Sequence, residues 1–305
     1  MRILITGSDG FTGRHMMPFL LDKGVEVAGF SRNANSDHNK KYYSGDLLDK
    51  SSLLFTINDF KPDVILHFAG IALPGFTDIE LMYRINMFGT KNLLDAAVES
   101  GMSFSKIIVA SSAQVYGVVG SDSISELHTT LPSSHYGNSK LGMENICRLY
   151  MDKLSIAITR PFNYSGYGQS QDYILAKIIA HYYKQLPEIT LGNIDVVRDF
   201  SYIDDVLNYY WALITVSQSR MIVNICSGIG TSLRTILDYM DKLSGYKIKV
   251  NSSNSLLRPQ DNPVFIGDTG VLKSIIGSYQ PLSIPKMLQK ILQMKDSPIN
   301  GRCII

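Results

Sequence analysis

The chain has 305 residues and a formal net charge of +2, with 45% hydrophobic and 18% charged residues. These proportions are those of a globular protein, so they exclude a fibre and an intrinsically disordered chain. Because 29 Lys and Arg residues nearly balance 27 Asp and Glu residues, no basic surface is expected for nucleic acid or an anionic membrane. Local groups must therefore bind any anionic ligand.

The cysteine content and the N-terminus indicate the compartment. Cys147, Cys226 and Cys303 are widely spaced and form no C-x-x-C pair, which argues against a disulfide framework and against a metal site. The first residues run straight into a strand and a glycine turn, without the apolar core of a signal peptide. No apolar run approaches the roughly 18 residues of a membrane helix. We therefore expect a cytoplasmic protein without membrane or nucleic-acid partners.

Short apolar runs alternate with longer amphipathic segments along the first half of the chain. The predicted strands are 3–6, 25–30, 64–69, 106–112 and 156–160, and the predicted helices are 14–23, 80–100, 136–153 and 174–184. This alternation predicts an α/β fold with a Rossmann-type, doubly wound parallel sheet.

The pattern loosens after about residue 162. Later segments, at 222–226, 233–244, 247–250 and 285–294, are separated by loops too long to extend the sheet regularly. We therefore expect a first domain over residues 1–162, interleaved with some later segments. A smaller C-terminal substrate-binding lobe is expected mainly over residues 163–305.

A glycine turn follows the first predicted strand. Gly7, Gly10 and Gly13 form a G-x-x-G-x-x-G pattern, in which Phe11 and Thr12 open the next helix. Small residues let the backbone turn tightly and approach a pyrophosphate, whose charge the amides at a helix N-terminus stabilise. An ordinary strand–turn–helix can share the pattern, but its place at the start of a βαβ unit favours a bound dinucleotide.

The end of the second predicted strand indicates which dinucleotide is bound. NAD-binding turns usually have an acidic residue there, which binds the ribose hydroxyls. Ser31 and Arg32 stand at this place, and no carboxylate occurs from residue 29 to 36. Ser31 and Arg32 suit the 2′-phosphate of NADP(H), so we predict an NADP-binding domain over residues 1–162, with NAD(H) as the alternative. Asp46 and Leu47 lie between the predicted strands 25–30 and 64–69 and are candidates to contact the adenine; an exposed turn aspartate is the alternative for Asp46.

A tyrosine and a lysine share one face of a predicted helix. Tyr136 and Lys140 are four residues apart, and an adjacent cation lowers the pKa of a phenol by favouring the phenolate. Ser112 ends the predicted strand 106–112, at the edge where open α/β sheets bind ligands. A Y-x-x-x-K pair alone often occurs by chance. Together with the glycine turn and Ser112, it predicts a site in which Tyr136 exchanges a proton with a substrate oxygen.

These motifs resemble the extended short-chain dehydrogenases/reductases that act on nucleotide sugars, the NAD-dependent epimerase/dehydratase family. The resemblance covers nearly the whole chain and extends to residues 67–70, 86–90, 111–117, 160–163 and 198–200. It implies a catalytic triad of Ser112, Tyr136 and Lys140, in which Tyr136 is the acid–base. It also implies that Tyr136 and Lys140 contact the cofactor, with Lys140 at the nicotinamide ribose, and that Ala69 lines the cofactor site.

The resemblance further implies how a nucleotide-sugar substrate is bound. Asn163 matches a family position near the substrate phosphates, while Arg198 and Arg258 match positions that bind the diphosphate or nucleotide. Each guanidinium can bind two phosphate oxygens at once. A structural ion pair of Arg198 with Asp195 or Asp199 is the alternative. The resemblance also implies a homodimer through the helices around 80–100 and 136–153.

The two residues after Ser112 indicate the type of reaction. In the similar sugar 4,6-dehydratases these positions are an acid and a base, and the 3,5-epimerase-reductases have a cysteine at the first of them. Here they are Ala113 and Gln114, neither of which titrates. The resemblance therefore favours NADPH-dependent reduction of the C4 ketone of a nucleotide-activated 6-deoxy-4-ketohexose. An NAD-dependent nucleotide-sugar 4-epimerase is the alternative, and a dehydratase or a non-catalytic dinucleotide-binding regulator is disfavoured.

Two further segments favour a GDP-linked substrate. Residues 189–200 and 257–263 resemble the branch of GDP-mannose dehydratases and GDP-4-keto-6-deoxymannose reductases. The cofactor signal at Ser31 and Arg32 agrees with a reductase, which exchanges NADPH at every turnover, whereas 4-epimerases commonly retain NAD. A part in deoxysugar supply for a surface polysaccharide is what the resemblance implies.

Overall fold

The computed structural model describes residues 1–33, 41–121, 123–218, 220–256 and 262–294. The strands are β1 (Arg2–Thr6), β2 (Glu26–Ser31), β3 (Lys41–Ser44), β4 (Val64–His67), β5 (Lys106–Ala110), β6 (Ile156–Pro161), β7 (Asn163–Ser165), β8 (Glu188–Leu191), β9 (Val197–Tyr202), β10 (Met221–Ile225), β11 (Gly230–Ser232), β12 (Lys249–Ser252) and β13 (Val264–Phe265). The helices are α1 (Phe11–Asp22), α2 (Lys50–Phe60), α3 (Ile79–Tyr83), α4 (Thr90–Glu99), α5 (His135–Arg148), α6 (Ile174–Tyr183), α7 (Ile203–Thr215), α8 (Leu233–Ser244), α9 (Gly270–Ile276) and α10 (Ile284–Gln293).

A seven-stranded sheet forms the centre of the first of two compact units. This unit comprises Met1–Gly117, Thr129–Pro161 and Leu207–Asn224, and its sheet has the strand order β10-β6-β5-β4-β1-β2-β3. The strands β1 to β6 pair in parallel. Every residue of β4 is buried, as expected for a strand with both faces covered. The structure confirms the predicted Rossmann-type, doubly wound sheet.

The order of the strands reverses between β1 and β4, where the chain crosses from one half of the sheet to the other. Ligands of open α/β sheets bind outside the carboxyl ends of the strands at this position. The glycine turn follows β1, residues 68–70 follow β4 and Ser112 follows β5. The topology therefore brings three of the predicted site segments to one edge of the sheet.

The second compact unit comprises Val118–His128, Phe162–Val206 and Ile225–Ile305. Its central strand is β9, which pairs with β7 and β13 in parallel and with β11 in antiparallel orientation. A two-stranded parallel sheet of β8 and β12 lies in the same unit. These short strands do not follow a regular βα alternation, which is why the sequence pattern loosens there.

Two predictions need correction. Segment 222–226 is predicted outside the main sheet, but β10 joins that sheet as an edge strand beside β6. Residues 80–100 are predicted as one helix, but the structure has α3, a π-helical turn at Arg84–Gly89 and then α4. The wider turn carries Asn86, whose side-chain oxygen accepts a hydrogen bond from the Ile71 amide at 2.7 Å. A tertiary contact thus replaces the regular helix geometry.

Two predicted elements end earlier in the structure than the sequence pattern indicates. The helix predicted over 136–153 ends at Arg148, and the strand predicted over 106–112 ends at Ala110, so Ser112 follows the strand instead of closing it. Among the residues that the structure describes, no helix combines the length and the hydrophobicity needed to cross a membrane.

A buried lysine joins the central sheet to the end of α7. Lys106, the first residue of β5, is only 2% exposed. Its ammonium donates hydrogen bonds to the carbonyl oxygens of Leu213 at 2.6 Å and Val216 at 2.8 Å. Carbonyl groups at a helix C-terminus lack partners within the helix and attract cations. Lys106 therefore supplies a cap from a strand more than a hundred residues earlier.

We expect the substitution Lys106→Met to lower the free energy of unfolding by about 1–3 kcal/mol, because the buried carbonyl of Leu213 and the half-buried carbonyl of Val216 lose their donor. The measurement is urea denaturation followed by circular dichroism. Lys50→Met is the control, since Lys50 forms an exposed pair with Glu99 and such pairs contribute little to stability. Equal denaturation midpoints for Lys106→Met and the wild type would contradict the capping role.

Candidate active site

The glycine turn fits tightly between the ends of β2 and β4. Gly7 has a φ of +73°, and a Cβ there would lie 2.6 Å from the amide nitrogen of Ala69. The Gly7 amide donates to the carbonyl of Phe30 at 2.9 Å. A Cβ at Gly13 would collide with the carbonyl oxygen of Gly7. The chain's own backbone thus requires glycine at these two positions.

The turn leads directly into the N-terminus of α1. Gly10 is the N-cap residue and, having no side chain, cannot accept a hydrogen bond from the amides that follow it. The first turn of α1, with Phe11, Thr12 and Gly13, contains no acidic residue. The amide dipoles at such a terminus attract an anion. The residues present therefore fit the pyrophosphate of a dinucleotide.

The end of β2 presents one exposed cation. Ser31 is buried and its hydroxyl donates to the carbonyl of Asn33 at 3.0 Å. Arg32 is exposed, while its carbonyl accepts a hydrogen bond from the Ser44 hydroxyl. Because Ser31 already uses its donor within the protein, Arg32 is the better candidate for binding a 2′-phosphate.

Asp46 and Leu47, the candidates for contacting the adenine, follow β3. The Asp46 carboxylate is half-buried and accepts a hydrogen bond from the Leu48 amide at 2.8 Å. Leu47 is buried, and a Cβ at Gly89 would lie 2.9 Å from its side chain. Leu47 therefore packs against the π-helical turn, and Asp46 shapes its own loop.

His67, at the end of β4, is packed among polar partners. Its Nδ1 lies 2.6 Å from the Thr6 hydroxyl and its Nε2 lies 2.8 Å from the Thr90 hydroxyl. Burial, and secondarily the charge of Lys140, lower the pKa of His67 to about 3. His67 therefore joins two strands and a helix and does not act as a proton donor near neutral pH.

The segment of Ser112 and the start of α5 are in direct contact. Ser112 caps the 3-10 turn Ala113–Tyr116, with its hydroxyl accepting from the Gln114 amide at 3.2 Å. Ser134 caps α5 by accepting from the Gly137 amide at 3.0 Å. A Cβ at Gly137 would lie 2.6 Å from the Gln114 carbonyl oxygen. Glycine beside Tyr136 thus allows the serine turn to approach the helix that carries the tyrosine.

Lys140 points from α5 to the carboxyl ends of β4 and β5. Its ammonium donates to the Ala110 carbonyl at 2.9 Å, and a Cβ at Gly70 would lie 3.3 Å from it. The side chain is 4% exposed, and burial lowers its pKa to about 8, although Cys147 and Glu144 oppose the shift. The structure therefore places a buried cation one helical turn from Tyr136, which is half-buried.

An asparagine and a serine that the sequence analysis gave no role hold this arrangement. Asn86 donates through Nδ2 to the Ile71 carbonyl at 3.0 Å and to the Ser139 hydroxyl at 2.9 Å. Ser139 in turn donates to the Tyr136 carbonyl at 2.8 Å. The available signal was an asparagine inside a predicted helix, where such residues are disfavoured unless the side chain has a specific partner.

The predicted substrate residues of the second unit lie around β9. Asn163 donates to the Asp199 carbonyl at 3.3 Å, and Arg198 donates to the Asn262 carbonyl at 2.7 Å. Asp195 and Asp199 were the two candidate ion-pair partners of Arg198. Asp195 pairs with Arg234 instead, at 2.8 Å. Arg258 lies outside the described residues.

Asp199 organises the loops around Arg198. Its buried carboxylate accepts hydrogen bonds from the Ser227 amide and hydroxyl, from the Gly228 amide at 2.8 Å and from the Gly267 amide at 3.3 Å. Burial raises the pKa of Asp199, although these donors act in the opposite direction. The carboxylate thus holds the surrounding loops together through three backbone amides and the Ser227 hydroxyl.

Residues 3–226 match the model of the NAD dependent epimerase/dehydratase family, and the chain therefore belongs to that family. The resemblance drawn from the sequence motifs is confirmed. The match begins with β1 and ends just after β10, so it includes the glycine turn, the serine segment and the tyrosine helix.

Curated relatives and solved structures are similar over nearly the full length. A GDP-6-deoxy-D-talose 4-dehydrogenase of Aggregatibacter actinomycetemcomitans is 30% identical, over 95% of this chain and 97% of its own. A GDP-6-deoxy-D-mannose reductase of Pseudomonas aeruginosa is 27% identical, over 98% of each chain. The structure of RMD from Pseudomonas aeruginosa complexed with NADPH is 27% identical, with a TM-score of 0.83 over 96% of this chain and 97% of that one.

We expect Gly7→Ala to abolish NADPH and NAD binding, measured by cofactor fluorescence and by the cofactor's shift of the melting temperature. An alanine there must move the Ala69 backbone as well as adopt an unfavourable φ. Gly24→Ala is the matched control, because Gly24 has a φ of +74° but nothing within 4 Å of a Cβ. Unchanged cofactor affinity in Gly7→Ala would show that this turn does not bind the dinucleotide.

Proposed function

We propose that this protein uses NADPH to reduce the C4 ketone of a GDP-linked 6-deoxy-4-ketohexose. The observation that carries the proposal is the contact between the Ser112 turn and the start of α5, beside the buried ammonium of Lys140. The two residues after Ser112, Ala113 and Gln114, supply no acid or base for a dehydration. Two relatives named for GDP-6-deoxysugar oxidoreduction support the substrate class.

The chain's own residues provide the proton chemistry of this reduction. NADPH, when bound, supplies the hydride for the ketone carbon. Tyr136 donates its phenolic proton to the oxygen as negative charge develops there, and Ser112 donates a hydrogen bond to the same oxygen. Both hydroxyl groups act on the same substrate oxygen, so the rate of reduction depends on the distance between the Tyr136 and Ser112 side chains.

Lys140 makes Tyr136 a competent acid–base near neutral pH. Its ammonium is buried and held by the Ala110 carbonyl, so water screens its charge only weakly. A buried positive charge stabilises the phenolate and so lowers the pKa of the tyrosine. A turn later on the helix, the charge of Glu144 helps to keep Lys140 protonated.

The two predicted domains, residues 1–162 and 163–305, divide the binding functions in this proposal. Residues 1–162 hold the cofactor: Gly7, Gly10 and the α1 amides bind its pyrophosphate, and Arg32 binds its 2′-phosphate. Residues 163–305 mainly bind the nucleotide sugar, for which Asn163, Arg198 and Arg258 contribute to holding the diphosphate. The homodimer and the cytoplasmic location stay predictions.

An NAD-dependent nucleotide-sugar 4-epimerase is the second candidate. The Ser31 hydroxyl donates to a backbone carbonyl, which leaves Arg32 as the main support for NADP over NAD. An epimerase needs the same tyrosine, lysine and serine, because it also moves a hydride at C4. The family itself is named for NAD-dependent epimerases and dehydratases. Cofactor consumption separates the two functions.

The test is incubation of the purified protein with NADPH and GDP-4-keto-6-deoxymannose made in situ, with the dTDP, UDP and CDP ketosugars in parallel. We expect NADPH oxidation with the GDP sugar. Tyr136→Phe should lower kcat by about 100-fold or more while binding stays largely intact, since the proton donor is lost and the aromatic ring is kept. Absence of oxidation with every sugar, together with bound NAD in the purified protein, would favour the epimerase.

The rate should also depend on the charge of Lys140. Because burial lowers its pKa to about 8, the ammonium is present below that pH and is lost above it. We expect kcat/KM to fall as the pH rises through about 8, and Lys140→Arg to move this decline upward, since a guanidinium stays protonated. A decline at the same pH in both proteins would assign it to another group.

A further inference from the structure

Glu144 is the centre of a buried polar cluster next to the proposed active site. It is fully buried on α5 and accepts hydrogen bonds from the Ser111 hydroxyl at 2.7 Å and from Arg160 at 3.0 and 2.7 Å. Arg160 on β6 is 2% exposed and lies 4.9 Å from the Tyr116 ring. The Tyr116 hydroxyl donates to Asn224 at 2.7 Å.

These contacts link the segments that carry the three catalytic side chains. Ser111 directly precedes Ser112, and its amide is held by the Thr159 carbonyl at 2.8 Å. Ala110, the residue before Ser111, is the carbonyl partner of Lys140. Glu144 lies one helical turn after Lys140. Two hydrogen bonds, Ser111–Glu144 and Lys140–Ala110, therefore join the end of β5 to α5 at neighbouring positions on both segments.

Stability alone is a weak reason for such a cluster. Burying an ion pair has a large desolvation cost, and apolar residues of similar volume often stabilise a protein as well or better. When a hydroxyl group also binds a charged pair, the hydrogen bonds fix the orientation of the side chains, because each hydrogen bond tolerates little change in length or angle. Ser111, whose hydroxyl binds Glu144, is the member of the cluster that directly precedes Ser112 in the chain.

We propose that Ser111 and Glu144 are positioning residues, which fix the separation between the Ser112 turn and the face of α5 that carries Tyr136 and Lys140. The inference rests on the proposed function, since it assigns these residues to the same reaction. Arg160 holds the Glu144 carboxylate in place from β6. Arg148 reaches the same carboxylate from the surface at 3.5 Å and is 43% exposed, so it contributes little to its direction.

The test compares Ser111→Ala with Arg148→Gln, which removes the exposed partner of the same carboxylate. For each folded variant we would measure kcat, the KM for NADPH, and hydrogen exchange of the amides in residues 111–117. We expect Ser111→Ala to lose roughly 10-fold in kcat with the NADPH KM within about twofold of wild type, since small displacements of reacting groups are costly. Exchange should accelerate in 111–117, and Arg148→Gln should resemble the wild type.

The outcomes separate this inference from the proposed function. An unchanged kcat in Ser111→Ala overturns the positioning role, as does a lower kcat without faster exchange in residues 111–117. A wild-type protein that reduces no ketosugar but inverts C4 of a nucleotide hexose with a C4 hydroxyl refutes the proposed function and still tests the inference through the epimerase rate. If the wild type catalyses neither reaction, the exchange measurement alone decides whether Ser111 and Glu144 fix this segment.

Discussion

The buried ammonium of Lys140 is the constraint on which the proposed active site depends. Removing a positive charge from water is costly unless fixed dipoles or charges replace the solvent. Here the Ala110 carbonyl accepts its hydrogen bond, and the charge of Glu144 favours the charged form. Since these partners belong to β5 and α5, the position of the charge fixes the helix against the strand. In the proposed mechanism, the same charge makes Tyr136, one helical turn earlier, a competent acid–base.

Local patterns in the sequence predicted the central sheet and indicated the candidate catalytic residues. Buried parallel strands such as β4 are short apolar runs, and the glycine turn and the Tyr136–Lys140 pair are defined by spacing alone. Contacts between distant residues escaped prediction. The π-helical turn depends on the bond between Asn86 and Ile71, and β10 joins the sheet from far along the chain. Periodicity does not contain this information.

The same difference applies to the polar network around the site. In the sequence, Glu144 resembles an ordinary polar helix residue, yet it is fully buried, with Arg160 of β6 and Ser111, just after β5, as its hydrogen-bond donors. In the second unit, the buried carboxylate of Asp199 likewise connects separate segments, since it accepts hydrogen bonds from backbone amides of the loops that follow β10 and β13. In both units a buried carboxylate holds together segments that are remote in sequence, next to residues proposed to contact substrate.

Hydride transfer to C4 of the sugar is the central claim of this account. Its most direct test is to supply NADPH that carries deuterium at the transferable position of the nicotinamide, together with the GDP-linked 4-ketosugar, and to analyse the sugar product by mass spectrometry and NMR. We predict one deuterium per product molecule, bonded to C4, with one NADPH consumed for each. No deuterium in the sugar and no NADPH consumed, together with inversion at C4 of a GDP-hexose that has a C4 hydroxyl and is supplied in a parallel reaction, would contradict the claim and identify an epimerase.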